Sequence, residues 1–333
     1  MGAAQFHHGI CMKRASCWVT GAAGFIGSHL VDRLLARGHR VVGVDNLVLG
    51  RRSNLMQAMQ NPHFSFDALD VNDYEASLRF LREQTTAAPI QTVWHLAANS
   101  DIQAGGRDPD VDLRLTFLTT YQVLRLMQTL GIPHLVFAST SAIYGAHDVA
   151  LKEDTGPLFP VSNYGAMKLA SEAIISAALE RFLQRAWICR FPNVVGSRAT
   201  HGAIYDFLQK LRANPAELEV LGDGTQEKPY LHVSELLDAM LFLFDHSQDR
   251  LNFFNIAPEA GATTVRAIAE AVVRAAAPGA RIRYTGGPRG WIGDVPRFRY
   301  CTEKLKNLGW SPQLSSDEAV ERAIRENLQP VSR

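Results

Sequence analysis

The first half of the chain alternates short apolar runs with amphipathic stretches of helical period. Residues Ser16–Thr20 have the pattern of a strand, and Gly27–Arg37 that of a helix ending at Gly38. The apolar face of this helix is formed by Leu30, Val31, Leu34 and Leu35. Further strands are predicted at Arg40–Val44, Phe64–Ala68, Thr92–Leu96, Leu135–Ala138 and Trp187–Arg190. Two long helices are predicted at Asp110–Thr129 and Tyr164–Gln184.

Continuous apolar strands separated by helices indicate a parallel sheet, because parallel strands are buried on both faces and need helical crossovers. We therefore predict the α/β class, with a Rossmann-type doubly wound parallel sheet. From Asn193 onward the strict alternation weakens, which predicts a smaller, discontinuous α/β lobe that binds the substrate. Its predicted elements are strands at Glu219–Leu221 and Arg281–Tyr284 and helices at Ala203–Ala213, Val233–Asp245 and Thr264–Ala276.

The predicted domain boundaries follow from this change of pattern. Residues 1–14 form an N-terminal extension, residues 15–192 plus 232–257 the nucleotide-binding domain, and residues 193–231 plus 258–333 the smaller lobe. The discontinuity arises because Val233–Ile256 is expected to cross back to the main sheet.

Composition excludes several classes of protein. The chain has 333 residues, 47% of them hydrophobic, and its 34 Lys and Arg against 33 Asp and Glu leave a formal charge of +1. That balance provides no field for nucleic acid or for an anionic membrane. The apolar runs are too short for a membrane span, and the first residues lack the pattern of a secretory signal. The four cysteines share no metal-ligand spacing, so we expect no metal site and a reducing cytoplasm.

A glycine-rich run lies between the first strand and the first helix. Gly21, Gly24 and Gly27 are spaced to hold the pyrophosphate of a dinucleotide at the positive end of the helix. Asp45 ends the second strand, where a carboxylate accepts hydrogen bonds from ribose hydroxyls and repels a 2′-phosphate. We therefore predict NAD rather than NADP, although Arg51 and Arg52 follow a few residues later.

Two later strand ends complete the predicted cofactor site. Asp70 follows the third strand and is placed to accept from the adenine amino group. Leu96, Ala97 and Ala98 end the fourth strand with residues that leave room for the cofactor. His95 beside them is expected to be a packed histidine, because another residue supplies the acid or base.

That residue is Tyr164, which lies four positions before Lys168 and therefore on the same face of a helix. A nearby ammonium is expected to lower the pKa of the phenol, so that it can take a proton from a sugar hydroxyl. Ser139, Thr140 and Ser141 end the fifth strand, and each offers a hydroxyl to orient the substrate. Spacing alone does not choose among the three.

Five segments together resemble the extended short-chain dehydrogenase/reductase superfamily, in its nucleotide-sugar epimerase/dehydratase branch, typified by the UDP-galactose 4-epimerases. They are Thr20–Gly27, His95–Ala98, Ser139–Gly145, Tyr164–Lys168 and Arg190–Gly196. The resemblance covers nearly the whole chain. It implies that Thr140 is the catalytic hydroxyl, with Tyr164 as base and Lys168 as its partner. It leaves Thr116–Thr120, where relatives often have Asn-x-x-Gly-Thr, without an explanation.

The resemblance also implies the remaining binding residues. The expected cofactor-binding set is Gly21, Gly24, Phe25, Ile26, Gly27, Asp45, Asn46, Asp70, Val71, Leu96, Ala97, Ala98, Lys168 and Phe191. The expected substrate-binding set is Ser139, Ser141, Asn193, Arg198, Lys228 and Arg289. In it Lys228 replaces the usual phosphate-binding arginine, which keeps the charge and loses the bidentate fork. The Ser139–Ser141 hydroxyls with Arg198 would suit the carboxylate of a uronic acid.

The expected reaction is 4-epimerisation of a UDP-hexose or UDP-uronic acid through a 4-keto intermediate. Dehydrating or decarboxylating relatives place acids directly after the catalytic threonine, where this chain has Ser141 and Ala142. The alternatives are a dehydratase or a net dehydrogenase, an NAD-sensing regulator, and a steroid or flavonoid reductase. The helices at Asp110–Thr129 and Tyr164–Gln184 are expected to pair across a two-fold axis, which makes the enzyme a homodimer with a four-helix bundle.

Overall fold

The computed structural model describes residues 15–258, 261–287 and 297–329. In chain order its strands are β1 (Ser16–Thr20), β2 (Arg40–Val44), β3 (Phe64–Asp67), β4 (Ile90–His95), β5 (His134–Thr140), β6 (Arg185–Phe191), β7 (Asn193–Val195), β8 (Glu217–Val220), β9 (Glu227–Lys228), β10 (Tyr230–His232), β11 (Leu251–Asn255), β12 (Thr263–Thr264) and β13 (Arg281–Tyr284). Its α-helices are α1 (Phe25–Ala36), α2 (Tyr74–Ala87), α3 (Ile102–Arg107), α4 (Pro109–Asp112), α5 (Thr119–Leu130), α6 (Asn163–Leu179), α7 (Ala203–Ala213), α8 (Val233–His246), α9 (Val265–Ala276), α10 (Glu303–Leu308) and α11 (Ser316–Leu328).

Seven parallel strands form the central sheet in the order β11-β6-β5-β4-β1-β2-β3. The chain runs from β1 outward through β2 to β3, then returns to β4 on the other side of β1 and continues outward to β6. This reversal between β1 and β4 is the point where doubly wound sheets bind ligands, beyond the carboxyl ends of the strands. The predicted α/β class and Rossmann-type sheet are confirmed.

Side chains of the strands alternate between the two faces of the sheet, and each face carries its own core. Cys17 and Val19 pack with α1 and α8 on one face, and Trp18 packs with α2, α5 and α6 on the other. A strand buried on both faces explains the unbroken apolar runs of the sequence.

A third core lies outside the central sheet. It unites α7, α9 and α11 with β8 and β13, which pair in parallel. Two further pairs, parallel β7–β10 and antiparallel β9–β12, lie beside the cavity described below. These elements form the smaller α/β part of the chain. The domain boundaries given above stay a prediction, and the extension at residues 1–14 lies outside the described residues.

The two long predicted helices differ from expectation. The first is divided into α4, a π-helical stretch at Leu113–Leu118, and α5. The second ends at Leu179, because the chain then turns so that the N–H of Leu183 reaches the carbonyl of Ala178 before β6 begins. Within the described residues, no helix is long and apolar enough to cross a membrane.

Candidate active site

A cavity of about 980 Å³ lies at the carboxyl ends of β1, β2, β4 and β5. Every residue of the predicted cofactor-binding set lines it, as do Thr140 and Tyr164. Of the predicted substrate-binding residues, Ser141, Asn193 and Lys228 also line it. The fold therefore brings together residues that are far apart in the sequence, although their individual roles stay predictions.

The glycine-rich run forms a close backbone turn at the floor of this cavity. Gly21 has a φ of +68°, and a Cβ there would lie 2.8 Å from the backbone nitrogen of Ala97. A Cβ on Gly27 would lie 1.9 Å from the carbonyl oxygen of Gly21. Side chains at these positions would push the backbone segments apart and open the close turn at the N-terminus of α1, where backbone N–H groups attract an anion. The turn fits a pyrophosphate.

Asp45 borders the same space from the end of β2. Its carboxylate accepts the N–H of Ala23 at 3.0 Å and that of Leu47 at 2.8 Å. Burial raises the pKa of this carboxyl, and the backbone hydrogen bonds oppose the rise. The carboxylate is thus held by the chain itself at the position predicted for the ribose hydroxyls.

The two arginines that could have favoured NADP make other contacts. Arg51 donates from Nη2 to the hydroxyl of Tyr205 at 3.1 Å, and the guanidinium of Arg52 lies 5.4 Å from the ring centroid of Phe66. Neither lines the cavity as Asp45 does. The residues present fit NAD.

Tyr164 and Lys168 occupy the first turns of α6, whose start is fixed by Ser162. The Ser162 hydroxyl accepts the N–H of Gly165 at 3.1 Å, an N-cap that orients the helix against β5. Lys168 is buried and donates from Nζ to the carbonyl of Ala138 at 2.6 Å. Thr140 shares a hydrogen bond with the Tyr164 hydroxyl. The three predicted catalytic residues therefore meet at one point of the cavity.

The pKa values of Tyr164 and Lys168 correct one expectation from the sequence. Burial, followed by the charge of Asp112, raises the pKa of Tyr164 well above its usual value, whereas the hydrogen bond from Thr140 lowers it. Burial lowers the pKa of Lys168 to about 7, against the pull of Glu172 and Asp112. The sequence predicts that the ammonium lowers the phenol pKa, whereas in the folded chain burial is the largest influence on that pKa and raises it.

His95 is a packed histidine, as expected. It is fully buried, and its two ring nitrogens lie 2.7 Å from Thr20 Oγ1 and 3.0 Å from Thr120 Oγ1. Burial and then the charge of Lys168 lower its pKa to about 3. Thr116 Oγ1 accepts the N–H of Asn99 at 3.2 Å. The hydroxyls of the unusual Thr116–Thr120 segment thus hold His95 and the loop after β4.

Three predicted substrate residues need comment. Ser139 is buried and donates to Glu172 Oε1 at 2.5 Å, so it faces away from the cavity. Arg198, at a φ of +65°, pairs with Asp32 Oδ2 at 2.8 Å and turns toward α1. Neither side chain lines the cavity, because each has an acidic partner from a distant part of the chain, and their roles in substrate binding stay predictions. Arg289 lies outside the described residues.

A buried ion pair behind the catalytic residues was missed. Glu172 accepts two hydrogen bonds from Arg190, at 3.1 Å and 2.7 Å, besides the one from Ser139. Arg190 also donates to the hydroxyl of Tyr144 at 2.9 Å. Glu172 lies four residues beyond Lys168 on the same face of α6, and that spacing was the available signal.

Comparison with known proteins agrees with this geometry. The model of the NAD dependent epimerase/dehydratase family matches residues 17–257. The UDP-glucose 4-epimerase of Mycolicibacterium smegmatis is 30% identical over 92% of this chain and 96% of its own. The crystal structure of Thermus thermophilus UDP-glucose 4-epimerase in complex with NAD superposes with a TM-score of 0.80 at 30% identity, covering 93% of this chain and 98% of that one.

Other relatives have names that denote different outcomes. A UDP-glucuronate 4-epimerase of Thermodesulfobacterium geofontis is 26% identical over 94% of this chain and 97% of its own. UDP-glucuronic acid decarboxylase 1 of Arabidopsis thaliana is 27% identical, covering 95% of this chain and 70% of its own. The predicted family, enzyme class and cofactor are confirmed. The chain belongs to the NAD-dependent epimerase/dehydratase family and is an NAD-dependent sugar-nucleotide epimerase of the short-chain dehydrogenase/reductase type.

Proposed function

We propose that the enzyme inverts C4 of a nucleotide sugar, a UDP-hexose or UDP-uronic acid, through a 4-keto intermediate. The observation that carries this proposal is the meeting of Tyr164, Thr140 and Lys168 in the cavity that also contains the glycine-rich turn and Asp45. A phenol, a hydroxyl and an ammonium beside a dinucleotide site suit reversible oxidation of a carbinol.

Three residues of the protein take part in moving one proton. Tyr164 takes the proton from the sugar O4 and later gives it back, while the Thr140 hydroxyl bonds to the phenol and orients the substrate. Lys168 stabilises the phenolate and is itself held by the Ala138 carbonyl. When bound, NAD supplies the hydride acceptor for C4 and a positive ring charge that favours the phenolate.

The nucleotide diphosphate is assigned to cavity-lining residues outside the glycine-rich turn. Asn193 opens β7 and Lys228 ends β9, and both side chains line the cavity. We propose that they anchor the diphosphate, with Ser141 beside the sugar. Uridine is proposed because the relatives are named for UDP-sugars.

Dehydration and decarboxylation are the alternative outcomes from the same intermediate. They need a second acid or base near C5, yet the two residues after Thr140 are Ser141 and Ala142. Asp101 does line the cavity, but its carboxylate accepts the N–H of Ala104 at 3.1 Å and caps α3. Epimerisation needs only the one base.

Incubation of the holoenzyme with UDP-glucose, UDP-galactose and UDP-glucuronate tests the proposal. We expect the C4 epimer of one of them, measured by chromatography and NMR, with no net NADH absorbance at 340 nm. A stable keto or unsaturated product would support a dehydratase instead, and stoichiometric NADH a dehydrogenase.

The base is tested by Tyr164→Phe. We expect epimerisation to fall at least about a hundredfold, because the proton acceptor is removed while the ring remains. The matched control is Tyr284→Phe, which deletes a hydroxyl from a tyrosine of β13 that does not line the cavity and should keep wild-type activity. Equal rates for wild type and Tyr164→Phe would contradict the proposed mechanism.

The assembly and location proposed here are a homodimer in the cytoplasm. The α5 and α6 helices leave Tyr121, Ala173 and Ala177 exposed in one protomer. Exposed apolar residues on neighbouring helices suit the four-helix bundle expected from the family resemblance.

A further inference from the structure

Asp112 is a buried carboxylate next to the catalytic pair that no step of the proposed reaction uses. It is fully buried at the end of α4, and its Oδ1 accepts from Asn99 Nδ2 at 2.7 Å. Its Oδ2 has no hydrogen-bond partner among residues 15–258, 261–287 and 297–329. A buried carboxylate with only one of its oxygens hydrogen-bonded lowers the free energy of unfolding. We therefore expect Asp112 to have a function that offsets this loss of stability.

The surroundings of Asp112 connect it to the start of α6. Gly105 covers the carboxylate so closely that a Cβ there would lie 1.7 Å from Oδ2. The carbonyl of Gly105 accepts from Asn163 Nδ2 at 2.9 Å, and Asn163 immediately precedes Tyr164. Asn99, the partner of Oδ1, lines the cavity. The carboxylate therefore lies behind the cavity wall, out of reach of substrate and close to the phenol.

We propose that Asp112 is a positioning residue whose buried carboxylate, fixed by Asn99 and covered by Gly105, sets the charge state of the Tyr164–Lys168 pair. This inference rests on the proposed function, since it assumes that this pair moves the proton. Asp112 acts through the pair and touches neither substrate nor cofactor.

The direction of the effect follows from the sign of the charge. An anion favours the protonated form of each neighbour, and the charge of Asp112 raises the pKa of both Tyr164 and Lys168. Lys168 in return lowers the pKa of Asp112, which burial raises. Loss of the carboxylate charge should therefore lower both pKa values together.

Other charged and titratable groups face these three residues. Asp101 raises the pKa of Asp112, and Glu172 raises that of Lys168. His95 faces Lys168 and is neutral at the working pH, because its pKa is lowered to about 3. Tyr300 faces Tyr164, and its own pKa is raised well above the usual value by burial. All of these groups remain in an Asp112 variant, so a change in the pKa values of Tyr164 and Lys168 is due to the loss of the Asp112 charge alone.

The test is the pH dependence of epimerisation by holoenzyme carrying Asp112→Asn. We expect both limbs of the profile to move about one pH unit toward lower pH. Asp112→Thr is a second neutral variant that keeps an acceptor for Asn99, and it should give the same shift if Asp112→Asn does not fold. Asp110→Asn is the matched control, the same change on an exposed residue of α4, and should leave both limbs in place.

A titration without turnover separates this inference from the proposed reaction. Lys168, with its pKa lowered to about 7, should titrate near neutral pH in an NMR experiment on lysine labelled at Cε, assigned by its absence in Lys168→Met. In the neutral Asp112 variants the midpoint should fall by about one pH unit. A slower enzyme with unmoved limbs and an unmoved midpoint would show a merely structural role and overturn the inference. A moved midpoint in an enzyme that forms no C4 epimer would leave Asp112 in its role and reject the reaction.

Discussion

Lys168 shows how single residues set the chemistry of this site. Its ammonium is buried and donates to one carbonyl, and the charges of Glu172 and Asp112 oppose the effect of burial on its pKa. A lysine in water would hold its proton far above neutral pH, whereas here burial brings the pKa to about 7. A group poised in this way responds to every charge placed beside it, which is why Glu172 and Asp112 matter although neither reaches the substrate.

Glycine at position 27 is required by distance, and Gly27→Ala tests this. The added Cβ would meet the Gly21 carbonyl oxygen at 1.9 Å, so the turn must shift away from the helix. We expect NAD affinity, measured by fluorescence titration, to fall at least about tenfold, since the phosphate-binding N–H groups move with the turn. Gly106→Ala on α3 is the control, because a Cβ there meets nothing within 4 Å. Unchanged affinity in Gly27→Ala would mean that the turn does not hold the cofactor.

The sequence predicted the location of those site residues whose position depends on their neighbours along the chain. The glycines, Asp45 and the Tyr164–Lys168 pair lie at strand and helix ends that their own neighbours determine. Ser139 and Arg198 lie outside the cavity lining because the direction of each side chain is decided by an acidic partner, Glu172 or Asp32, that only the folded chain brings near. The local sequence pattern predicts where a strand or helix lies. It does not predict which distant residue a side chain will pair with.

At the scale of elements, the six strands predicted between Ser16 and Arg190 all form, with ends that differ by at most two residues. Their burial on both faces makes the signal strong. The sequence prediction missed α2, α3, α10 and α11, although Ser315 and Glu318 form the capping box that starts α11. It also missed the π-helical stretch, because a helix of that kind keeps nearly the same apolar spacing as an α-helix.

The ion pair between Glu172 and Arg190 fastens α6 to β6, and Glu172→Gln tests its strength. The two side chains are 7% and 8% exposed, so removing the anion leaves a buried guanidinium without its charge partner. We expect the free energy of unfolding in urea to fall by about 3 kcal/mol.

The control for this element is Glu180→Gln. Glu180 pairs with Arg250 at the surface, where the side chains are 76% and 62% exposed and water screens the charges. The free energy of unfolding of Glu180→Gln should equal that of the wild type. An equal stability for Glu172→Gln would show that the buried pair only compensates its own desolvation.

For the whole molecule, the reversal of strand order between β1 and β4 explains why one cavity collects residues from so many segments. The residues that follow each of these strands line the same space, and residues of α6 and β7 line it as well. The sheet could be predicted because it follows from alternation along the chain. The smaller lobe was harder, since its strands are two to four residues long and pair across wide gaps in sequence.

The homodimer is tested by Ala173→Glu on the exposed face of α6. A carboxylate in an apolar bundle lacks a partner, so the variant should have the mass of a monomer in light scattering where the wild type has twice that mass. Glu303→Ala, on α10 away from α5 and α6, serves as the control and should not change the mass. A wild-type protein that is monomeric at micromolar concentration would exclude the bundle.

The π-helical stretch at Leu113–Leu118 ties the architecture of the site to the length of the chain. Such a stretch holds one residue more than an α-helix would use over the same turn, so it sets how Asp112, which precedes it and contacts Asn99, is rotated relative to α5, which follows it. Exchanges of one residue type for another can accumulate here without moving the backbone. A deletion of one residue would allow an ordinary α-helix and would rotate Asp112 relative to α5, so we expect this segment to tolerate a change of residue type better than a change of length.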